Sequence, residues 1–78
     1  MLSKKQEYLL LYDLVKEGFD VEFKDIMLTH NDYVVGKPYQ VYFEGKNFNE
    51  FYSDIKPAIE TFMRLKFNTY FRGVGVGK

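Results

Sequence analysis

Residues 19–45 read FDVEFKDIMLTHNDYVVGKPYQVYFEG, and this stretch decides the fold class. Its first apolar residues lie at odd positions 19, 21 and 23, with a single charged residue between neighbours. Strict alternation is typical of a strand that buries one face. The alternation then changes phase, because Ile26 and Leu28 occupy even positions. A bulge or kink at Lys24 and Asp25 is the simplest explanation.

The second half of this stretch predicts one or two further strands. The polar residues 30–32 have the composition of a turn. Residues 33–35 and 39–43 are rich in the β-branched and aromatic side chains that favour strands. Pro38 has no N–H to donate to a ladder, so we expect it at a sheet edge or at the start of a strand. Residues 44–47 end the sheet.

The segment before the sheet predicts an amphipathic helix over residues 4–17. Ser3 and Gln6 have the spacing of a capping box, in which each side chain accepts from the other residue's backbone N–H. Gly18 can adopt the left-handed conformation that ends many helices, and Phe19 can then fold back on the last turn.

Residues 47–73 predict a long second helix. Apolar side chains recur there at a spacing of three or four, at Phe48, Phe51, Ile55, Ile59 and Phe62. Pro57 interrupts this stripe, and proline is tolerated only in the first turn of a straight helix. Either the helix begins next to Asp54, or a longer helix bends at Pro57. The unbroken stripe favours two nearly coaxial pieces that end at Gly73.

These elements predict a small single α+β domain over residues 1–72: a helix, two or three antiparallel strands, and a long helix that Pro57 begins or kinks. We expect both helices on one face of the sheet. Residues 73–78, GVGVGK, are expected to form a flexible Gly/Val tail. They do not fit a phosphate-binding loop, because that pattern requires a glycine where Arg72 stands.

The composition predicts a non-catalytic protein without metal, cofactor or catalytic residues. The chain has no cysteine and one histidine, His30, which lies in a segment of turn composition. No nucleophile motif and no metal-ligand spacing is present. The longest apolar run near the N-terminus has five residues, whereas a membrane span needs about 20. We therefore expect a cytoplasmic protein with no membrane partner.

Both helices carry more apolar surface than a small core easily covers, which predicts an interaction surface. The alternative is that the long last helix and its aromatic end cover Leu10 and Leu14 within the monomer. The candidate interface residues are Leu10, Leu14, Met63, Phe67, Tyr70 and Phe71. Aromatic residues, which make up 19% of the chain, are favoured at such surfaces. We expect an interaction protein that binds another protein or itself as a homo-oligomer. Its size and composition suit the small accessory proteins of phages or mobile elements.

The alternative hypothesis is a nucleic-acid-binding module at the C-terminal end of the chain. The net charge is zero, yet residues 61–78 contain basic residues and no acidic one. Basic residues interleaved with aromatic ones can neutralise phosphates while bases stack on the rings. The candidate contacts with a polyanion are Arg64, Lys66, Arg72 and Lys78. The same charges also complement the dipole at a helix C-terminus, which requires no partner.

Overall fold

The computed structural model describes the backbone of residues 2–73 and the side chains of residues 2–69. It confirms the α+β class, but four strands replace the two or three that were predicted. The strands form one antiparallel sheet in the order β1-β2-β3-β4. The elements are α1 (Lys4–Lys16), β1 (Val21–Phe23), β2 (Ile26–His30), β3 (Tyr39–Phe43), β4 (Phe48–Tyr52) and α2 (Ile55–Gly73).

Local side-chain chemistry fixes both ends of α1. The reciprocal bonds between Ser3 and Gln6 form the predicted capping box. At the other end, Gly18 has a φ of 99° and donates its N–H to the carbonyl of Val15. This left-handed residue satisfies a carbonyl of the last turn. The helix ends at Lys16, one residue earlier than predicted.

Lys24 and Asp25 form the turn of a hairpin, so the predicted bulge is wrong. Lys24 has a φ of 55°, and Phe23 pairs directly with Ile26 across the turn. Paired residues of antiparallel strands face the same side of the sheet. A two-residue turn therefore moves the buried positions from odd to even numbers, which is the phase change in the sequence.

The segment Phe48–Tyr52 is a fourth strand, although its apolar spacing predicted part of the last helix. A 3₁₀ turn over Glu44–Lys46 is followed by Asn47 with a left-handed φ of 56°, which reverses the chain. Phe48 then pairs with Phe43, and β4 extends the sheet beside β3. The aromatic residues at the two ends of β4, Phe48 and Tyr52, then pack against the buried core.

The second helix begins at Ile55, which places Pro57 in its first turn. A proline there costs little, because the first N–H groups of a helix have no intrahelical acceptor. Of the two alternatives for this segment, the bend at Pro57 is wrong. Residues 33–35, predicted as a strand, lie instead in the loop of residues 31–38, and Pro38 directly precedes β3 as expected.

Both helices cover the same face of the sheet, as predicted. The buried apolar side chains come from every layer of the fold and are Leu11, Val15, Ile26, Leu28, Val41, Phe43, Ala58, Ile59 and Phe62. Phe62 is the largest side chain that is fully buried, and it lies on α2 over the central strands. The core therefore depends most on the contact of α2 with β2 and β3.

The substitution Phe62→Ala should unfold the protein. Truncating a buried phenylalanine costs about 3–5 kcal/mol, and one core of this size supplies only about 3–5 kcal/mol of stability. Urea denaturation followed by circular dichroism measures the change. The control is Lys56→Ala, whose side chain is exposed on α2 and whose loss should change the unfolding free energy by less than about 0.5 kcal/mol. Equal stability of the two variants would contradict the described core.

Candidate interaction surfaces

A groove of about 470 Å³ lies between the N-terminal half of α1 and the middle of α2. We call it the helix groove. Its apolar wall consists of Tyr8, Met63 and Phe67, and the Phe67 side chain is 57% exposed. The charged side chains that line the same groove are Lys4, Lys5, Glu7, Glu60 and Arg64. An apolar centre with a polar rim is the usual anatomy of a protein interface.

An ion pair joins the two helices that form the helix groove. The ammonium group of Lys66 lies within salt-bridge distance of the Glu7 carboxylate, and both side chains are partly buried. The same ammonium group lies 5.4 Å from the centre of the Phe23 ring. This arrangement ties the start of α1 to the C-terminal half of α2 beside the end of β1.

The structure brings together two of the six residues that the sequence predicted as an interface. Met63 and Phe67 line the helix groove, where Tyr8 joins them. Leu10 is 48% exposed and Leu14 is half-buried, but neither lines the groove. The side chains of the other two candidates, Tyr70 and Phe71, lie outside the described residues.

The predicted basic residues have different surroundings. Arg64 is exposed on the rim of the helix groove. Lys66 is engaged by Glu7 and by the Phe23 ring, so its charge is already compensated. The side chains of Arg72 and Lys78 lie outside the described residues. The groove also gains Lys4 and Lys5 from α1, which the sequence analysis did not consider as contacts.

A second apolar surface, at the loop between β2 and β3, was missed by the sequence analysis. Three consecutive apolar residues, Tyr33, Val34 and Val35, are exposed there, and Val35 is 98% exposed. We call these three residues the loop tip. Consecutive exposed apolar residues are unfavourable on a protein surface unless they have a function. The β-rich composition of the tip explains why it was predicted as a strand.

Two backbone hydrogen bonds shape this loop. The Asn31 N–H donates to the carbonyl of Pro38 over 2.8 Å and closes the loop. The Lys37 N–H donates to the carbonyl of Val34 over 3.1 Å. Gly36, between them, has a φ of 80°, which is the geometry of a type II turn.

Side-chain amides anchor the loop to the sheet. The Asn31 side chain accepts from the Tyr33 N–H and donates to the side-chain oxygen of Gln40 over 2.7 Å. Gln40, only 7% exposed, donates in turn to Asn49 of β4 over 2.8 Å. This row of amides crosses the sheet face that carries no described helix. It satisfies a buried polar side chain and fixes the base of the loop.

His30, the one histidine of the sequence and thus its candidate for acid–base catalysis, lies at the opposite end of the fold from the helix groove. His30 is the last residue of β2 and is exposed, rather than part of a turn. Its ring lies 5.3 Å from the ring of Tyr39, its partner across the strands. Neither residue lines the helix groove.

Comparison with known proteins gives no match: no family model, no curated protein and no solved structure resembles the chain significantly. Within residues 2–73, neither helix combines the length and the apolar character needed to cross a bilayer. The same part of the chain holds no group of three or more His, Cys, Asp or Glu residues that could bind a metal ion.

The substitution Gly36→Ala should destabilise the loop through its backbone alone. A Cβ at this position meets no atom within 4 Å, so sterics with neighbours contribute nothing. A left-handed alanine costs about 1–2 kcal/mol. Gly36→Asn should cost less, because asparagine tolerates this conformation better. Thermal unfolding of the three proteins measures the difference, and an unchanged Gly36→Ala protein would show that the turn is not fixed in this way.

Proposed function

We propose that the protein is a non-catalytic interaction protein that acts by binding protein, and that its partner is a further copy of itself. The observation that carries this proposal is the helix groove, with Tyr8, Met63 and Phe67 at its centre and charges around them. Apolar surface rimmed by polar side chains marks interaction sites on many proteins.

The charges around the helix groove favour a polypeptide as the occupant. Its rim combines the basic Lys4, Lys5 and Arg64 with the acidic Glu60. A polypeptide carries both signs and can complement every charge of such a rim, whereas a polyanion would leave the Glu60 carboxylate uncompensated. Rim charges of both signs set the orientation of a partner more than its affinity.

Two observations favour a second copy as that polypeptide. The chain has equal numbers of basic and acidic residues, so copies do not repel one another through their net charge near neutral pH. Exposed large apolar side chains also occur on α1, at Leu9 and Leu10, and at the loop tip. A small protein with several such surfaces gains from covering them against itself.

We expect the protein to assemble at micromolar concentrations, and the substitution Phe67→Ser to weaken this assembly. Fully burying a phenylalanine contributes about 1.5–3 kcal/mol. Because Phe67 is 57% exposed before association, its burial contributes about 1–2 kcal/mol, a roughly fivefold to thirtyfold change in the dissociation constant. Light scattering coupled to gel filtration measures the mass over a range of concentrations. The matched control is Phe19→Ser, because Phe19 is exposed to 59% and lies away from the groove.

Two outcomes would contradict this proposal in different ways. A monomer of 9.3 kDa at every concentration would show that the chain does not self-associate. Loss of assembly in Leu10→Ser but not in Phe67→Ser would move the interface to the flank of α1 that contains Leu10 and Leu14.

The second candidate function is binding of single-stranded nucleic acid at the same groove. Lys4, Lys5 and Arg64 lie beside the rings of Tyr8 and Phe67, which is the combination that stacks bases and neutralises phosphates. Glu60 on the rim opposes this function. The compensation of Lys66 by Glu7 also removes one of the basic contacts on which the hypothesis depended.

We expect no tight binding of DNA or RNA at about 150 mM salt, where the Debye length is about 8 Å. Three phosphate contacts on single strands give a logarithmic salt slope of only about −2. Fluorescence anisotropy with labelled oligonucleotides tests this expectation. Submicromolar affinity that is lost in Arg64→Ala but kept in Lys37→Ala, a control on the distant loop, would place nucleic-acid binding first.

A further inference from the structure

The helix groove and the loop tip lie at opposite ends of the molecule. In an antiparallel meander, the β1–β2 and β3–β4 turns share one end of the sheet, and the β2–β3 loop lies at the other. The groove lies at the first end, because Lys66 of its second helix contacts Glu7 and the ring of Phe23 at the end of β1. One molecule therefore cannot place its own loop tip in its own groove.

We infer that the loop tip of one copy occupies the helix groove of the next copy, in a head-to-tail assembly. This inference rests on the proposed self-association and identifies the two surfaces that meet in it. The tip offers Tyr33, Val34 and Val35 as a convex apolar surface, and the groove offers a concave one. Each surface covers the apolar area that the other leaves exposed.

The charges beside the two surfaces complement each other. Asp32 precedes the loop tip and Lys37 follows it, so the tip lies between one acid and one base. The groove rim presents Arg64 and the lysines of α1 for the acid and Glu60 for the base. Matching charges of this kind orient a docked loop and reject the reversed orientation.

The hydrogen bonds of the loop make it suitable as a docking element. Its backbone is closed by Asn31 and Pro38, and Gly36 fixes the turn that displays Val35. The side-chain contact with Gln40 anchors it to the sheet. Docking then restricts few further rotatable bonds, and a preorganised loop loses less conformational entropy when it docks.

The contact joins two different surfaces, and this sets the form of the assembly. A contact between different patches has no two-fold axis, so it generates either a closed ring or an open chain. A loop tip is also small compared with the standard interface of about 1,200–2,000 Å². We therefore expect affinity no tighter than micromolar, and concentration-dependent species of increasing size rather than one dimer.

Complementation between two defective variants tests this inference. The loop variant, Tyr33→Ser with Val35→Ser, keeps an intact groove, and the groove variant, Phe67→Ser, keeps an intact loop. The changed loop residues are strongly exposed, so circular dichroism should match that of the wild type. Arg64→Glu provides a second groove variant that changes only the exposed rim, and Phe19→Ser is the control.

Sedimentation velocity is measured where the wild-type chain assembles. Each variant alone should remain a monomer, and an equimolar mixture should form a complex of two chains and no larger species, because only one intact loop and one intact groove can meet. The control should assemble like the wild type.

The possible failures are distinguishable. If the loop variant assembles like the wild type while both groove variants are monomeric, copies associate groove to groove and the head-to-tail contact is wrong. A mixture that stays monomeric would likewise overturn the pairing of loop and groove. If the wild-type chain itself is a monomer throughout, the proposed self-association fails together with this inference.

Discussion

The packing of α2 against the two central strands is the contact on which the rest of the structure depends. Phe62 and Ile59 of α2 share one buried cluster with Leu28 and Val41 of the central strands, and α2 is the longer of the two described helices and contacts β2, β3 and β4. Residues 2–73 supply two helices for a four-stranded sheet, and both are used on one face. The helix ends, the loop and the opposite sheet face must then be stabilised by local hydrogen bonds or remain available to a partner.

Much of this fold follows from short-range signals in the sequence. The capping box at Ser3 and the left-handed Gly18 were sufficient to place α1. The fourth strand was missed because Phe48 and Phe51 continue the helical spacing of α2. The pairing of β4 with β3, for example of Phe48 with Phe43, is what makes this segment a strand rather than part of the last helix. This pairing depends on the turn at Asn47.

The interaction surfaces were less accessible to sequence reasoning than the fold. Met63 and Phe67 could be identified because they depart from the buried stripe of α2. Lys66 looked like a free cation, yet its partner Glu7 is 59 positions away along the chain. The loop tip could not be found from composition, since its exposure results from the hydrogen bonds that close the loop rather than from the residues themselves.

Head-to-tail assembly places the loop tip and the helix groove in a single contact. A dilution series followed by NMR spectra of the backbone amide groups tests that claim most directly. Labelled wild-type protein would be compared from about 1 mM to about 10 µM, which spans weak to moderate affinities. Amide signals near Tyr33 and Val35 and those near Met63 and Phe67 should shift with one common concentration dependence. Shifts confined to one of these regions, or centred instead on Leu10, would contradict the assembly.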